Sequence, residues 1–346
     1  MSSRARVIAL AVSIVALLVV ASQLEWPAIA RAWAEMTWPW AVASACVNLL
    51  NTWLEAARWQ TVVKAGDHDV PIHKTYASML VGTVGNVLLP FKLGEAARAW
   101  ALGRLAKLPM STVWSTVILD RIVDGAMLAL LITALALASA TLPMPRMARY
   151  TAVGFVGGLV LLWLIVSVLH HWLGSRIRQR LGPHRVLHLD RFLHGFRILR
   201  QRHALGRAGA FAIASWLTRA AVVWLMFKAF ALDWSWLRAA FVLLAINAGI
   251  LVVSTPANVG SFELAATGVL RLFGCDAALA ISFALALHIV EVIPPMLLGM
   301  AVMWSLGLHL DRGAVREAQA ESSVTLPAEE EDRDCAGDES TSENGR

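Results

Sequence analysis

Residues 86–98 read Asn-Val-Leu-Leu-Pro-Phe-Lys-Leu-Gly-Glu-Ala-Ala-Arg, and the fold turns on how this stretch is read. An apolar run stops at Pro90, which has no N–H to give a helix, and Gly94 follows with its wide choice of dihedrals. Lys92, Glu95 and Arg98 crowd around the break. In an apolar chain this is a broken helix carrying charge. Irregular backbone at membrane depth is tolerated only inside protein or against a wet cavity, so the segment must be shielded from lipid. A weaker copy lies at 256–266, Pro-Ala-Asn-Val-Gly-Ser-Phe-Glu-Leu-Ala-Ala. Both have Pro, three residues, Gly, then Glu and two small residues.

The surroundings of both stretches are those of an integral membrane protein. Of 346 residues, 58% are hydrophobic and 16% charged, and the mean hydropathy is +0.62. Several apolar runs approach the ~20 residues that cross a ~30 Å hydrocarbon core. The strand alternation of an outer-membrane barrel is absent. Formal charge is +6 overall; residues 311–346 hold eleven acids and four Arg, so −7, which leaves +13 on the first 310. A basic membrane part suits the positive-inside rule and an anionic leaflet, and gives no reason to invoke nucleic acid. Cys46, Cys275 and Cys335 form neither a paired framework nor a metal-type CxxC.

Charge and hydropathy then order the chain. A first span over about 7–23 follows Arg4 and Arg6, and its signal-like look is set aside because more spans follow. An interfacial stretch at 24–36 and Trp38/Trp40 mark the outer side. A second span covers about 37–57 and ends in the cytoplasm at Glu55, Arg58 and Trp59. The segment 75–109 has too short an apolar part, Tyr76 to Phe91, and a full crossing would put Lys92, Arg98, Arg104 and Lys107 outside. A re-entrant hairpin from the cytoplasmic side removes that conflict. Spans at 110–140 and 150–171 follow, then a basic loop at 172–207 with nine Arg and one Asp, suited to an anionic leaflet. Another span at 208–231 leads to a second re-entrant element, entered from outside through Phe241–Ser254, and a last helix at 276–307. The Ser/Glu/Asp-rich tail is expected to be disordered.

The two halves repeat. Pro90 maps to Pro256 and Gly94 to Gly260 by 166 residues, Glu95 to Glu263 by 168, Arg121/Asp124 to His288/Glu291 by 167, and Trp53 to Trp216 by 163. With three crossings in each half, the second half lies upside down, as in inverted-topology transporters. The expected fold is all-α and polytopic: about six full spans and two re-entrant hairpins in two inverted repeats. Residues 1–145 form the first repeat, 146–310 the second and 311–346 the cytoplasmic tail, with both termini cytoplasmic.

Ionisable groups inside a bilayer are costly and mark functional paths or tightly paired cores. The candidates are Glu55, Glu95, Arg98, Asp120, Arg121, Asp124, Arg219, Glu263, His288 and Glu291. Glu95/Arg98, Arg121/Asp124 and His288/Glu291 are spaced i,i+3, so each pair can share a helix face. Lys92 with Arg98 beside a helix break would suit a phosphate. One His and one Glu are too few for a metal site, no nucleotide loop of the form G-x-x-x-x-G-K-[ST] is present, and no G-x-S-x-G elbow appears. No cofactor is expected.

The run Pro90-x-Lys92-x-Gly94-Glu95-x-x-Arg98 resembles the signature of the lysylphosphatidylglycerol synthase transmembrane-region family, the flippase-like proteins. Asp120-Arg121-x-x-Asp124 resembles the family's E-R-x-x-D, Pro256-x-x-x-Gly260 its P-G-G-x-G, and Ala56-x-Arg58-Trp59 its A-x-R-W. Asp120, Ala257, Asn258, Arg219 and His288 depart from the usual residues. The resemblance covers roughly 5–307. It implies a multi-pass inner-membrane lipid transporter, not an enzyme, moving a phospholipid or lipid-linked headgroup and working with a separate lipid-modifying enzyme. Lys92, Arg98 and Arg121 would attract phosphate. Glu95, Asp120, Asp124, Glu263 and Glu291, with His288, would line the rest of the path, with helix breaks at Pro90, Gly94, Pro256 and Gly260. The alternatives are a membrane-embedded transferase acting on a polyprenyl- or glycolipid, and a non-catalytic subunit of a lipid-synthesis complex.

Overall fold

The computed structural model describes residues 25–88, 93–138, 201–252 and 256–308. The first span, Pro90 and Lys92, the 150–171 span, residues 172–200 of the basic loop and the tail lie outside the described residues.

All regular structure described is helical. An amphipathic helix α1 (Trp26–Ala34) opens with Pro27 and buries Ile29. Then come α2 (Trp38–Ala65), α3 (Ile72–Leu88), α4 (Gly94–Ala106) and α5 (Met110–Ala138). After the undescribed stretch, α6 (Arg202–Ala229), α7 (Trp236–Val252), a 3₁₀ turn (Pro256–Asn258), α8 (Ser261–Leu272) and α9 (Ala277–Ser305) follow. The same order of lengths therefore occurs twice: 28, 17, 13 and 29 residues in α2–α5, and 28, 17, 12 and 29 in α6–α9.

The helices of 28 and 29 residues are ~42 Å long at 1.5 Å per residue, more than the hydrocarbon core. α6 and α9 are also apolar enough to cross a membrane by themselves. The arms of the α3/α4 and α7/α8 pairs are ~18–26 Å long, short of a full crossing.

α2 runs past its expected end at 57 to Ala65, burying Glu55, Arg58 and Trp59. The helix does not stop at these residues. They lie on a polar stripe of α2, Ser44, Asn48, Asn51, Glu55 and Arg58, at three- and four-residue spacing, which is one helix face. That face needs partners, and α6 supplies the first. The Ser44 hydroxyl donates to the Val222 carbonyl at 2.9 Å. α2 and α6 pack antiparallel: Thr37 N–H donates to the Ala229 carbonyl at one end, and Gln201 Nε2 to the Ala65 carbonyl at the other.

Glycines set how closely the hairpin arms approach. A Cβ on Gly85 would meet Ala97 Cβ at 2.7 Å, and one on Gly249 would meet Ala265 Cβ at 2.6 Å. Gly94 was expected to serve by its dihedrals, yet it opens α4 without a positive φ. Its role is contact, since a Cβ there would lie 2.3 Å from the Gly82 carbonyl oxygen and from Asn86 Cγ. Asn86 Oδ1 in turn accepts the Gly94 N–H at 3.0 Å. In the second break the dihedral argument does hold, with φ of +51° at Ala257, +61° at Asn258 and +89° at Gly260.

Candidate functional site

Arg58 is the hub of the embedded charges. Its side chain is fully buried, with Nε 2.8 Å from Asp120 Oδ1, Nη2 3.4 Å from Asp120 Oδ2 and Nη1 2.5 Å from Asp124 Oδ1. A guanidinium is suited to this because its planar fork meets two carboxylates at once. Asp120, also fully buried, receives two further bases: Arg98 Nη1 at 3.1 Å and Arg121 Nη2 at 3.4 Å. Arg98 also reaches Glu95 at 2.6 Å and lies over the Trp59 ring. Trp59 is fixed by donating Nε1–H to Thr116 Oγ1 at 3.1 Å. One turn earlier on the same face of α2, Glu55 takes the Arg219 guanidinium and an Asn51 amide N–H at 3.0 Å.

Glu55, Arg58, Glu95, Arg98, Asp120, Arg121, Asp124 and Arg219 thus carry four negative and four positive charges, drawn from α2, α4, α5 and α6. Mutual neutralisation is what makes their burial tolerable. The inner members are held tightly, whereas Glu95 and Arg121 are 38% and 41% exposed and stand 3.8 Å apart. The network is closed at its centre and loose at this edge.

The expected Glu95/Arg98 and Arg121/Asp124 pairs are present, at 2.6 and 3.7 Å. The third pair is not formed as expected. His288 binds Glu263 on α8, Nδ1 to Oε1 at 2.5 Å, and turns Nε2 to the Ala257 carbonyl at 3.0 Å. Its ring stacks on Phe262 with centroids 4.4 Å apart. The other oxygen of Glu263 accepts the Gly260 N–H at 2.7 Å. One carboxylate and one imidazole therefore hold the left-handed turn at 257–260. Glu291, one turn along α9, feels the charges of Arg219, Glu55 and His288, and its carboxylate makes no ion pair or hydrogen bond among the described residues. Asn48 Nδ2 donates to the Val290 and Glu291 carbonyls at 3.1 and 2.9 Å, fixing α9 against the polar stripe of α2.

Sequence reasoning missed Arg58, which it placed at a membrane boundary, and Asn48 and Asn51. The signal that finds them is the helical spacing of the α2 stripe. Among the described residues no group of three or more His, Cys, Asp or Glu is arranged to hold a metal ion.

Long apolar helices around a buried network of neutralised charge define an all-α, multi-pass, flippase-like membrane protein. The chain belongs to the lysylphosphatidylglycerol synthase TM region family, whose model matches residues 6–299. No curated protein matches it.

Proposed function

We propose that the chain moves a phospholipid or lipid-linked headgroup across the inner membrane. The observation that carries this reading is the graded network. Its centre is closed, while at its edge the half-exposed Glu95 and Arg121, anchored inward to Arg98 and Asp120, meet each other only at 3.8 Å. A half-exposed pair at 3.8 Å costs little to open. A headgroup could exchange for it, phosphate against Arg121 and a cationic group against Glu95, while the acyl chains stay in lipid. Lys92 would add a second base to that edge. Glu263, His288 and Glu291 would continue the path toward the other hairpin.

Two inverted repeats would supply the alternation of access. The recurring element lengths and the antiparallel run of α2 against α6, which are counterparts in the repeat, support that reading. On it the α3/α4 and α7/α8 hairpins enter from opposite sides without crossing, both termini are cytoplasmic, and rocking of one half against the other exposes the path to each leaflet in turn. The test is transbilayer movement of fluorescent phosphatidylglycerol, phosphatidylethanolamine and a polyprenyl phosphate in proteoliposomes. Wild type should exceed Arg121→Gln and Glu95→Gln, both of which keep the fold. Background-level movement of every lipid by wild type would end the proposal.

A further inference from the structure

Among the described residues the embedded charges fall into three groups. Eight form the neutral network around Arg58 and Glu55. Two more, Glu263 and His288, face each other. Both nitrogens of His288 meet acceptors, a carboxylate oxygen and a carbonyl oxygen. Only the imidazolium has a proton for each, so the contacts select the charged ring, which balances Glu263. Glu291 is left over. It is the one ionisable group of this core, among the described residues, without a partner of opposite charge in contact.

A lone carboxylate in a bilayer is the most expensive arrangement available to it. The groups around it do not remove the cost. α6 brings Arg219, but Glu55 of α2 already holds that guanidinium. α9 itself brings His288, already held by Glu263 of α8. α3 brings no charge near it. Its His73, Lys74 and Tyr76 fall near its start, beyond Leu80 and Val81, which pack by Gly299 and Leu308 at the other end of α9. On α1, Arg31 turns back to its own Pro27 carbonyl.

We propose that Glu291 is a proton-binding site and that, given the lipid-transport reading above, the proton is the ion coupled to lipid movement. Uptake of one proton by the Glu291 carboxylate makes the described part of the core neutral. Release leaves a negative charge that draws on Arg219 and His288, so it competes with Glu55 for the first and with Glu263 for the second. The first pair ties α6 to α2 one turn from Arg58, and the second ties α9 to the hairpin arm that carries the 257–260 turn. One proton thereby biases both hairpins' surroundings together, which is what coupling requires of an ion site.

The test has two arms. In nanodiscs, infrared difference spectra of the full chain against pH should contain a protonated-carboxyl band that Glu291→Gln lacks and that Glu291→Asp restores. Glu95→Gln should keep it. Identical spectra for wild type and Glu291→Gln overturn the proposal. In proteoliposomes, an imposed gradient should shift the steady-state leaflet ratio of the transported lipid by about tenfold per pH unit if one proton moves per cycle. Glu291→Gln should hold the ratio near unity. Lipid movement that ignores the gradient overturns the coupling while the transport reading stands. No movement in wild type removes the transport reading, and the infrared arm alone then decides the proton site.

Discussion

Asn48 repairs on α9 what Pro295 and its neighbour Pro294 remove. A proline has no N–H for the carbonyl four residues back, so Pro294 frees the carbonyl of Val290 and Pro295 that of Glu291. Asn48 donates the two protons of one amide group to these two oxygens, at 3.1 and 2.9 Å. In lipid no water is at hand to do this, so the tandem prolines are tolerated because α2 presents a donor pair at that height. α9 is thereby tied to the same polar face of α2 that carries Glu55 and Arg58.

Asn48→Leu should cost about 2–4 kcal/mol, since two buried carbonyls lose their donors. Asn48→Asp should be no better, because a carboxylate has no proton to give. The decisive comparison is a double-mutant cycle in which Pro294 and Pro295 are both replaced by Ala. Restored helix N–H groups should then make Asn48→Leu nearly neutral. Denaturation in detergent measures both. An equal cost in the two backgrounds would mean that Asn48 acts some other way.

Arg58 and Arg121 both touch the Asp120 network, and they should behave differently. Arg58→Ala would leave Asp120 and Asp124 short of their shared fork and should cost about 3–5 kcal/mol, with Arg58→Lys recovering little because an ammonium is a single point. Arg121→Gln, at the half-exposed edge, should cost less than about 1 kcal/mol. Thermal unfolding of the three variants gives the order. Lipid movement should invert it for Arg121→Gln, which stays folded and loses activity.

Much of this was legible in the sequence, and the exceptions have physical causes. The long helices and the turn before Gly260 show as hydropathy and Pro/Gly punctuation, and the recurring order of helices follows the sequence offsets. Arg58 was hidden because a ~42 Å helix overhangs a ~30 Å core, and sequence does not say at which end. With Lys64 nearby, the charged end looked like a boundary. The partner of His288 was hidden because i,i+3 spacing reports only neighbours on one helix. Glu263 lies 25 residues away on the hairpin arm that folds back against it. Asn48 could be found only by asking which group serves the carbonyls freed by Pro294 and Pro295.

Gly94 should not tolerate a methyl group. The added Cβ would lie 2.3 Å from the Gly82 carbonyl oxygen, and backbone cannot step aside as a side-chain tip can. Gly94→Ala should therefore destabilise by about 1–3 kcal/mol or prevent the hairpin from closing. Gly206→Ala and Gly209→Ala, where nothing lies within 4 Å, serve as controls on α6. They should be neutral or slightly stabilising, by up to about 1 kcal/mol of helix propensity each. Equal losses at all three sites would show that the measurement reports glycine replacement in general rather than the close approach of α3 and α4.

Ala257 holds a conformation that suits glycine. Its φ is +51°, and its carbonyl accepts from His288 Nε2. An L-residue in the left-handed region is strained by about 1–2 kcal/mol because Cβ crowds the following carbonyl. Ala257→Gly relieves that crowding and keeps the carbonyl, so it should raise stability by about 1 kcal/mol after the extra entropy of glycine in the unfolded chain is counted. Gly260→Ala, at φ +89°, should do the reverse, although a Cβ there meets nothing within 4 Å. The same pair separates strain from packing, because space is open at Gly260 and only the backbone angle objects. Melting temperatures in one detergent would register both shifts. A loss of stability in Ala257→Gly would mean that the His288 contact depends on the alanine methyl group, and that the turn is held by more than its two hydrogen-bonded side chains.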